Sequence, residues 1–392
     1  MTLSLPLAAA GEVADVLTAL FAVLLAAKIG EEIAKRLGQP GLLGEIVAGV
    51  IVGPSVLGFV EPDEVLEVFA ELGVVFLLFW VGLETRLSDM RDVGRTAALV
   101  GAFGVLLPFG GGLAFALAIG EPTATAVFVG VALVATSVGI TSAVLLELGV
   151  LGGRAAKTIL GAAVIDDVLA MLLLAVAVGL GTDEGVDVAS VATTVALALA
   201  FIGFFALGGT KAMASRPQLL QEPRFSESPL LPAVIICLGL AAFAAHIGLA
   251  AIIGAFLAGM IVAETKEQHP IEEEVAPLYA FFAPFFFAFI GTQVDLGELA
   301  SGGALALLAG VTVLAAITKY VGAWLGAKAM VVRDRHVVAL GMIPRGEVGV
   351  IVAGIGATAG VLDERLFAVI VGMSVLTTVM APPLLRRALA RE

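Results

Sequence analysis

Apolar stretches of about 20 residues recur from residue 13 to residue 388, cut by short polar or Gly/Pro-rich loops. A helix of that length crosses a ~30 Å hydrocarbon core. The pattern predicts thirteen such helices, with approximate cores at 13–37, 41–59, 64–84, 94–118, 122–149, 155–180, 187–210, 229–246, 248–264, 272–293, 302–328, 336–359 and 364–385. The chain therefore reads as an all-α polytopic membrane protein with 13 transmembrane helices, in which length counts helices rather than soluble domains.

Charge placement fixes an orientation. Of the 21 basic residues, all but Arg365, Lys319 and Arg345 fall on one set of alternate loops together with the C-terminus. By the positive-inside rule that set is cytoplasmic, so the N-terminus is expected outside and the C-terminus inside. A miscounted helix would scramble this alternation. Only 14% of the residues are charged, against about 25% in soluble proteins. A net charge of −13 leaves no basic stripe for nucleic acid. Cys237 is the single cysteine, which excludes an internal disulfide and a cysteine metal cluster. Met1–Gly11 lacks the basic start of a signal peptide, so the first helix is expected to be retained. No cofactor is expected, and the chain is not read as an enzyme.

A weak internal repeat links the two halves. Gly41-Leu42 with Ile46 and Ala48 matches Gly248-Leu249 with Ile253 and Ala255, and Val131-Ala132-Leu133 matches Val338-Ala339-Leu340, both at an offset of 207. Phe76, Gly82 and Leu87 match Phe285, Gly291 and Leu296 at 209. The offset pairs spans 2, 3 and 5 with spans 9, 10 and 12. Seven spans of separation is odd, so the expected architecture is two inverted six-helix repeats, a transporter design with its site at mid-membrane.

Charges inside a span are expensive and mark function. Asp166 and Asp167, Lys319, and Arg345 with Glu347 lie on three separate spans, each about ten residues in from the cytoplasmic side. At 1.5 Å per residue that is roughly 15 Å, the middle of the bilayer. Adjacent helix positions point about 100° apart. One aspartate can therefore pair with Lys319 while the other faces a cavity, and two neighbouring carboxylates titrate as a coupled pair. Such oxygens can hold protons or a small hard cation such as Na⁺.

Two spans read as interrupted at this depth. The first carries Thr136-Ser137-Val138-Gly139-Ile140-Thr141-Ser142, whose hydroxyls can satisfy backbone groups freed by a break. Its repeat mate carries Pro344-Arg345-Gly346-Glu347, where proline removes a donor and glycine widens the allowed dihedrals. Small-residue packing is the competing reading of the first run. Arg345 and Glu347 are expected to neutralise each other or the broken helix ends rather than touch the ion. Elsewhere Glu45 and Glu84 read as solvated span ends and Pro108 and Pro284 as kinks. Trp80 and Trp324 read as packing, and His246, His269 and His336 as loop-boundary residues.

These residues resemble a known family. Val164-Ile165-Asp166-Asp167, with Ala135-Thr136-Ser137 before it, is similar to the motif of NapA-like sodium/proton antiporters, a branch of the monovalent cation/proton antiporter superfamily. Gly44–Gly49 through Gly53-Pro54, and Pro344–Glu347, also fit that branch, which includes the potassium-efflux antiporters. The resemblance implies an NhaA-like fold with broken crossing helices. It implies that Asp167 and Asp166 bind Na⁺, with Thr136 and Ser137 nearby, and that Asp166 pairs with Lys319 when no ion is present. Gly139, Thr141, Pro344, Arg345, Gly346 and Glu347 would support the breaks. Residues 1–90 with 229–296 would form a dimerisation scaffold, 91–181 with 300–390 the moving core, and 182–228 a linker. Potassium-efflux relatives often append a nucleotide-binding domain; with Glu392 closing the chain, such regulation is expected only from a separate subunit.

The expected activity is exchange of Na⁺ or Li⁺ for protons by alternating access, electrogenic, in a homodimer of the prokaryotic cytoplasmic membrane. K⁺/H⁺ exchange is the alternative within the class. An intramembrane aspartyl protease is a remote one, because it needs two aspartates on facing helices and these are adjacent on one. A buried lysine at the site and paired helix breaks also favour alternating access over an open channel.

Overall fold

A computed structural model describes residues 6–85, 87–181, 188–215, 228–264, 271–294, 296–300 and 303–389. All regular structure among them is helical. In chain order the helices are α1 (Pro6–Arg36), α2 (Gly41–Val52), α3 (Glu64–Leu83), α4 (Leu87–Ala118), α5 (Thr123–Ala132), α6 (Val138–Glu147), α7 (Arg154–Gly181), α8 (Val188–Gly203), α9 (Thr210–Ser215), α10 (Leu230–His246), α11 (Ala251–Ala263), α12 (Ile271–Thr292), α13 (Leu296–Leu299), α14 (Ala304–Gly326), α15 (Val332–Gly341), α16 (Glu347–Thr358) and α17 (Glu364–Leu389). A π-helical turn, Phe204–Gly209, joins α8 to α9.

Eight helical stretches are long and apolar enough to cross a membrane, carried by α1, α3, α4, α7, α8–α9, α12, α14 and α17. Six more apolar helices are shorter. Three of these, α5, α6 and α16, together with the more polar α15, are the halves of two interrupted segments. Two expected boundaries need correction. The span at 41–59 stops as helix at Val52, because Gly53 turns extended and Pro54 cannot donate onward. The span at 248–264 begins as helix only at Ala251, after Gly248 takes a left-handed turn at φ 82°. Local chemistry sets other ends: Asp63 and Asp363 each accept the backbone N–H three residues on, capping α3 and α17.

The helices pack into two groups. One contains α1–α3 with α10–α12; the other contains α4–α7 with α14–α17. Within the first group, glycines bring backbones together, as in membrane helix pairs generally. A methyl on Gly49 would fall 1.9 Å from the Ala288 carbonyl oxygen, and one on Gly291 2.2 Å from that of Ile46, which locks α2 to α12. Gly82 and Gly259 do the same for α3 and α11. The groups meet where α6 lies on α3. There Gly139 leaves room for the Val74 side chain, 2.9 Å from where its own Cβ would stand. Gly139 thus contributes close packing between the groups, inside α6 rather than at the break.

Candidate functional site

Both interrupted segments break at the same place in the bundle. α5 ends at Ala132 and α6 begins at Val138, with Ser137 extended at φ −78°, ψ 95°. α15 ends at Gly341 and α16 begins at Glu347, with Gly346 at φ −140°, ψ −137°. The breaks touch each other: the Ser137 N–H donates to the Pro344 carbonyl at 2.9 Å. Gly346 is needed here because the Ser137 Oγ occupies the space a Cβ would take, 2.5 Å away. Thr141, one turn into α6, donates to the Gly341 carbonyl at 2.6 Å and so satisfies the C-terminal end of α15.

Lys319 of α14 fills the centre. Its ammonium has three donors and uses all three: Asp166 Oδ1 at 2.7 Å, the Gly104 carbonyl at 2.8 Å and the Val134 carbonyl at 2.6 Å. Lysine and aspartate are both 0% exposed. Val134 lies just past the end of α5, so the same ammonium also neutralises the negative end of a half-helix. Arg345 is the counterpart on the other break. It is fully buried, and its guanidinium donates to the carbonyls of Met342, at the end of α15, and Ala315, both at 3.3 Å. One of its hydrogen bonds goes to the end of a broken helix, one of the two roles read from sequence, and the other to the middle of α14. The Glu347 side chain lies outside the described residues, so the Arg345–Glu347 pairing is not seen.

Asp167 follows Asp166 on α7, about 100° further round the helix. It is buried and lines a narrow cleft with Leu78, Val138, Ala163, Ile252 and Phe256, between α3 and α11 on one side and α6 and α7 on the other. The cleft thus runs along the seam between the two helix groups. Thr136 is buried in the first break, and no hydrogen-bond partner for its hydroxyl lies among the described residues. The structure brings together Asp166, Lys319, Thr141, Ser137, Pro344, Arg345 and Gly346, with Asp167 at their edge.

Two features escaped the sequence reading. Thr377 and Thr378 of α17 are both fully buried and hydrogen-bond the Arg345 backbone. Their signal was present: Ser374, Thr377 and Thr378 recur at i, i+3 and i+4, one face of an otherwise apolar helix. Glu45 also needs correction. It is 5% exposed, not solvated, and sits 3.5 Å from Lys28, because α1 and α2 close over it at Gly30 and Gly44. Glu84 is exposed, and Trp80 packs edge-on to Tyr279. The Arg335 guanidinium stacks over Trp324 at 3.1 Å. Among the histidines, His336 contacts Tyr320, and His269 lies outside the described residues.

Discontinuous helices whose ends converge on buried ionisable groups define a class, the secondary transporters. A family model described as "Sodium/hydrogen exchanger, transmembrane" matches residues 17–391. This chain belongs to the sodium/hydrogen exchanger family. It is 37% identical to the Na⁺/H⁺-K⁺ antiporter GerN of Bacillus cereus over 93% of this chain and 94% of that one. It is 34% identical to the high-affinity Na⁺/H⁺ antiporter NhaS3 of Synechocystis, over 95% and 89%. The fold is similar to that of the sodium proton antiporter MjNhaP1 of Methanocaldococcus jannaschii, with a TM-score of 0.68 at 17% identity over 96% of this chain and all of that one.

Proposed function

We propose that this chain exchanges Na⁺ or Li⁺ for protons by alternating access, with Asp167 and Asp166 as the ion and proton groups. The observation that carries the reading is the Asp166–Lys319 pair. It is fully buried between two touching helix breaks, with Asp167 beside it on the seam between two helix groups. Buried charges at such cost are retained for function.

In this reading Na⁺ enters along the cleft to Asp167 and competes with Lys319 for Asp166. Thr136 and Ser137 line the break and add neutral oxygens. Lys319 does not move far when the aspartate is taken, because the Gly104 and Val134 carbonyls still hold it. Proton entry from outside returns the aspartates and discharges the cation. The helices α4–α7 and α14–α17 form the moving core, and α1–α3 with α10–α12 form the scaffold and dimer contact. Thirteen spans in two inverted repeats suit the contact pattern. Ser137 and Pro344, which hydrogen-bond across the breaks, are 207 positions apart, the offset of the repeat. Lys319 and Arg345 each bind the carbonyl end of one half-helix. The expected setting is a prokaryotic inner membrane with the N-terminus outside.

Replacing Asp167 by Ala tests the reading. In everted vesicles it should abolish Na⁺-dependent proton flux while leaving the protein folded, and retained flux would end the proposal. A second reading, K⁺ as a competing cargo, is favoured by one comparison: the similar Bacillus cereus protein is named for both Na⁺ and K⁺. Flux competition between the two cations decides it.

A further inference from the structure

In the break between α15 and α16, Arg345 has both its backbone N–H and its carbonyl held from another helix. Its N–H donates to Thr377 Oγ1 at 3.1 Å, and its carbonyl accepts from Thr378 Oγ1 at 2.6 Å. The two hydroxyls have different duties. Thr377 donates back to its own helix, to the Met373 carbonyl at 2.9 Å, and so is free to accept from Arg345. Thr378 sends its hydrogen to the Arg345 carbonyl instead. Pro344 has no N–H to offer and its carbonyl is held by Ser137, so the Ser137 amide fixes the peptide entering Arg345 while α17 holds the residue's own N–H and carbonyl.

That placement matters because of what Arg345 is not bonded to. Its guanidinium reaches the Met342 and Ala315 carbonyls, and its Nε has no hydrogen-bond partner among the described residues. Asp166 Oδ2 likewise has none. The two groups are within Coulombic reach of each other. In a dry interior a guanidinium and a carboxylate oxygen would pair if the backbone allowed it, since charge-assisted bonds are the strong ones. The threonines hold the backbone where the arginine spends its donors on the α15 end and on a carbonyl of α14, and leaves the second Asp166 oxygen open.

We propose that Thr377 and Thr378 are positioning residues of the cation site, holding Arg345 off Asp166 so that an incoming cation finds that oxygen vacant. They act through Arg345 and need not touch the ion. Thr378→Val keeps the shape and removes the donor. The Arg345 carbonyl is then a buried acceptor without a partner. The peptide tilts to find one, the guanidinium falls onto Asp166 Oδ2, and the cation must displace it.

The test is Na⁺-driven proton flux in proteoliposomes with purified, folded variants. Thr378→Val should raise the apparent KM for Na⁺ about tenfold, the equivalent of about 1.4 kcal/mol. Vmax per folded transporter should stay within about twofold, because bound cation moves as before. Thr378→Ser retains the donor and should restore the wild-type KM. A purely structural role would instead lower thermal stability and yield while leaving KM unmoved, and that result overturns the proposal. Should Thr378→Val not fold, Thr377→Val frees the N–H side of the same residue, and an unchanged KM there overturns it equally. The inference rests on the exchange activity proposed above, but the two fail separately. Absent Na⁺-driven flux in the wild type sinks the activity; wild-type flux with unmoved KM in the variants sinks only the positioning role.

Discussion

Replacing Asp166 by Asn deletes one charge and almost no volume. The Asn oxygen can still accept from Lys319, so the loss is mainly electrostatic. Both partners are 0% exposed and 2.7 Å apart. Breaking a buried pair from one side costs about 3–5 kcal/mol, because the remaining charge stays buried without compensation. Lys319 keeps two carbonyls, so this variant should sit near the lower end, about 3 kcal/mol. Lys319→Gln forfeits the ammonium's bonds to Gly104 and Val134 and leaves the aspartate uncompensated, which points nearer about 5 kcal/mol. The double variant removes both charges together and should be more stable than the sum of the two losses by several kcal/mol. Unfolding in matched detergent, followed through Trp80 and Trp324, gives the cycle. Strict additivity would refute the idea that these two charges depend on each other. Flux should be impaired in the double variant even where its stability recovers, since neither charge remains to exchange partners.

Other outcomes follow from single contacts. Lys319→Gln should change the charge moved per turnover more than it lowers flux; an unaltered voltage dependence in liposomes would count against a coupling role for the pair. Thr141→Val strips the bond to the Gly341 carbonyl and should cost about 1–3 kcal/mol in melting experiments, with an unchanged melting point as the contrary result. Gly49→Val drives a side chain into the Ala288 carbonyl and should destabilise by at least about 1–3 kcal/mol, against little effect if α2 and α12 can separate freely. Cys237, buried at 0% exposure on α10, should react with maleimide only after unfolding; rapid labelling of native protein would contradict the packing of that helix.

Much of this was legible along the chain because the membrane penalises the wrong residue so heavily. Apolar runs announce helices, since an unpaired backbone group in lipid has nowhere to bond. Charged residues at mid-span stand out for the same reason, and equal depth from the cytoplasmic side was enough to suggest that one of Asp166 and Asp167 meets Lys319; the resemblance pointed to Asp166. Pro344 and Gly346 marked one interruption directly, and the hydroxyl run from Thr136 marked the other. The exact break was not legible. It falls at residues 133–137, ahead of Gly139 and Thr141, because Ser137 must reach the Pro344 carbonyl across the bundle.

Local sequence determined which segments are helical, where two of them fail and which charges are stranded, since propensity, hydropathy and proline act within a few residues. Only the tertiary structure decided what each stranded group touches. Lys319 bonds two carbonyls as well as an aspartate, Arg345 bonds the end of α15 and a carbonyl of α14, and Glu45 is closed over by α1. Thr377 and Thr378 acquire a role only because α17 passes beside a break more than thirty positions earlier. Such partners are chosen by where helices cross, and a crossing depends on the whole bundle rather than on any stretch of the chain.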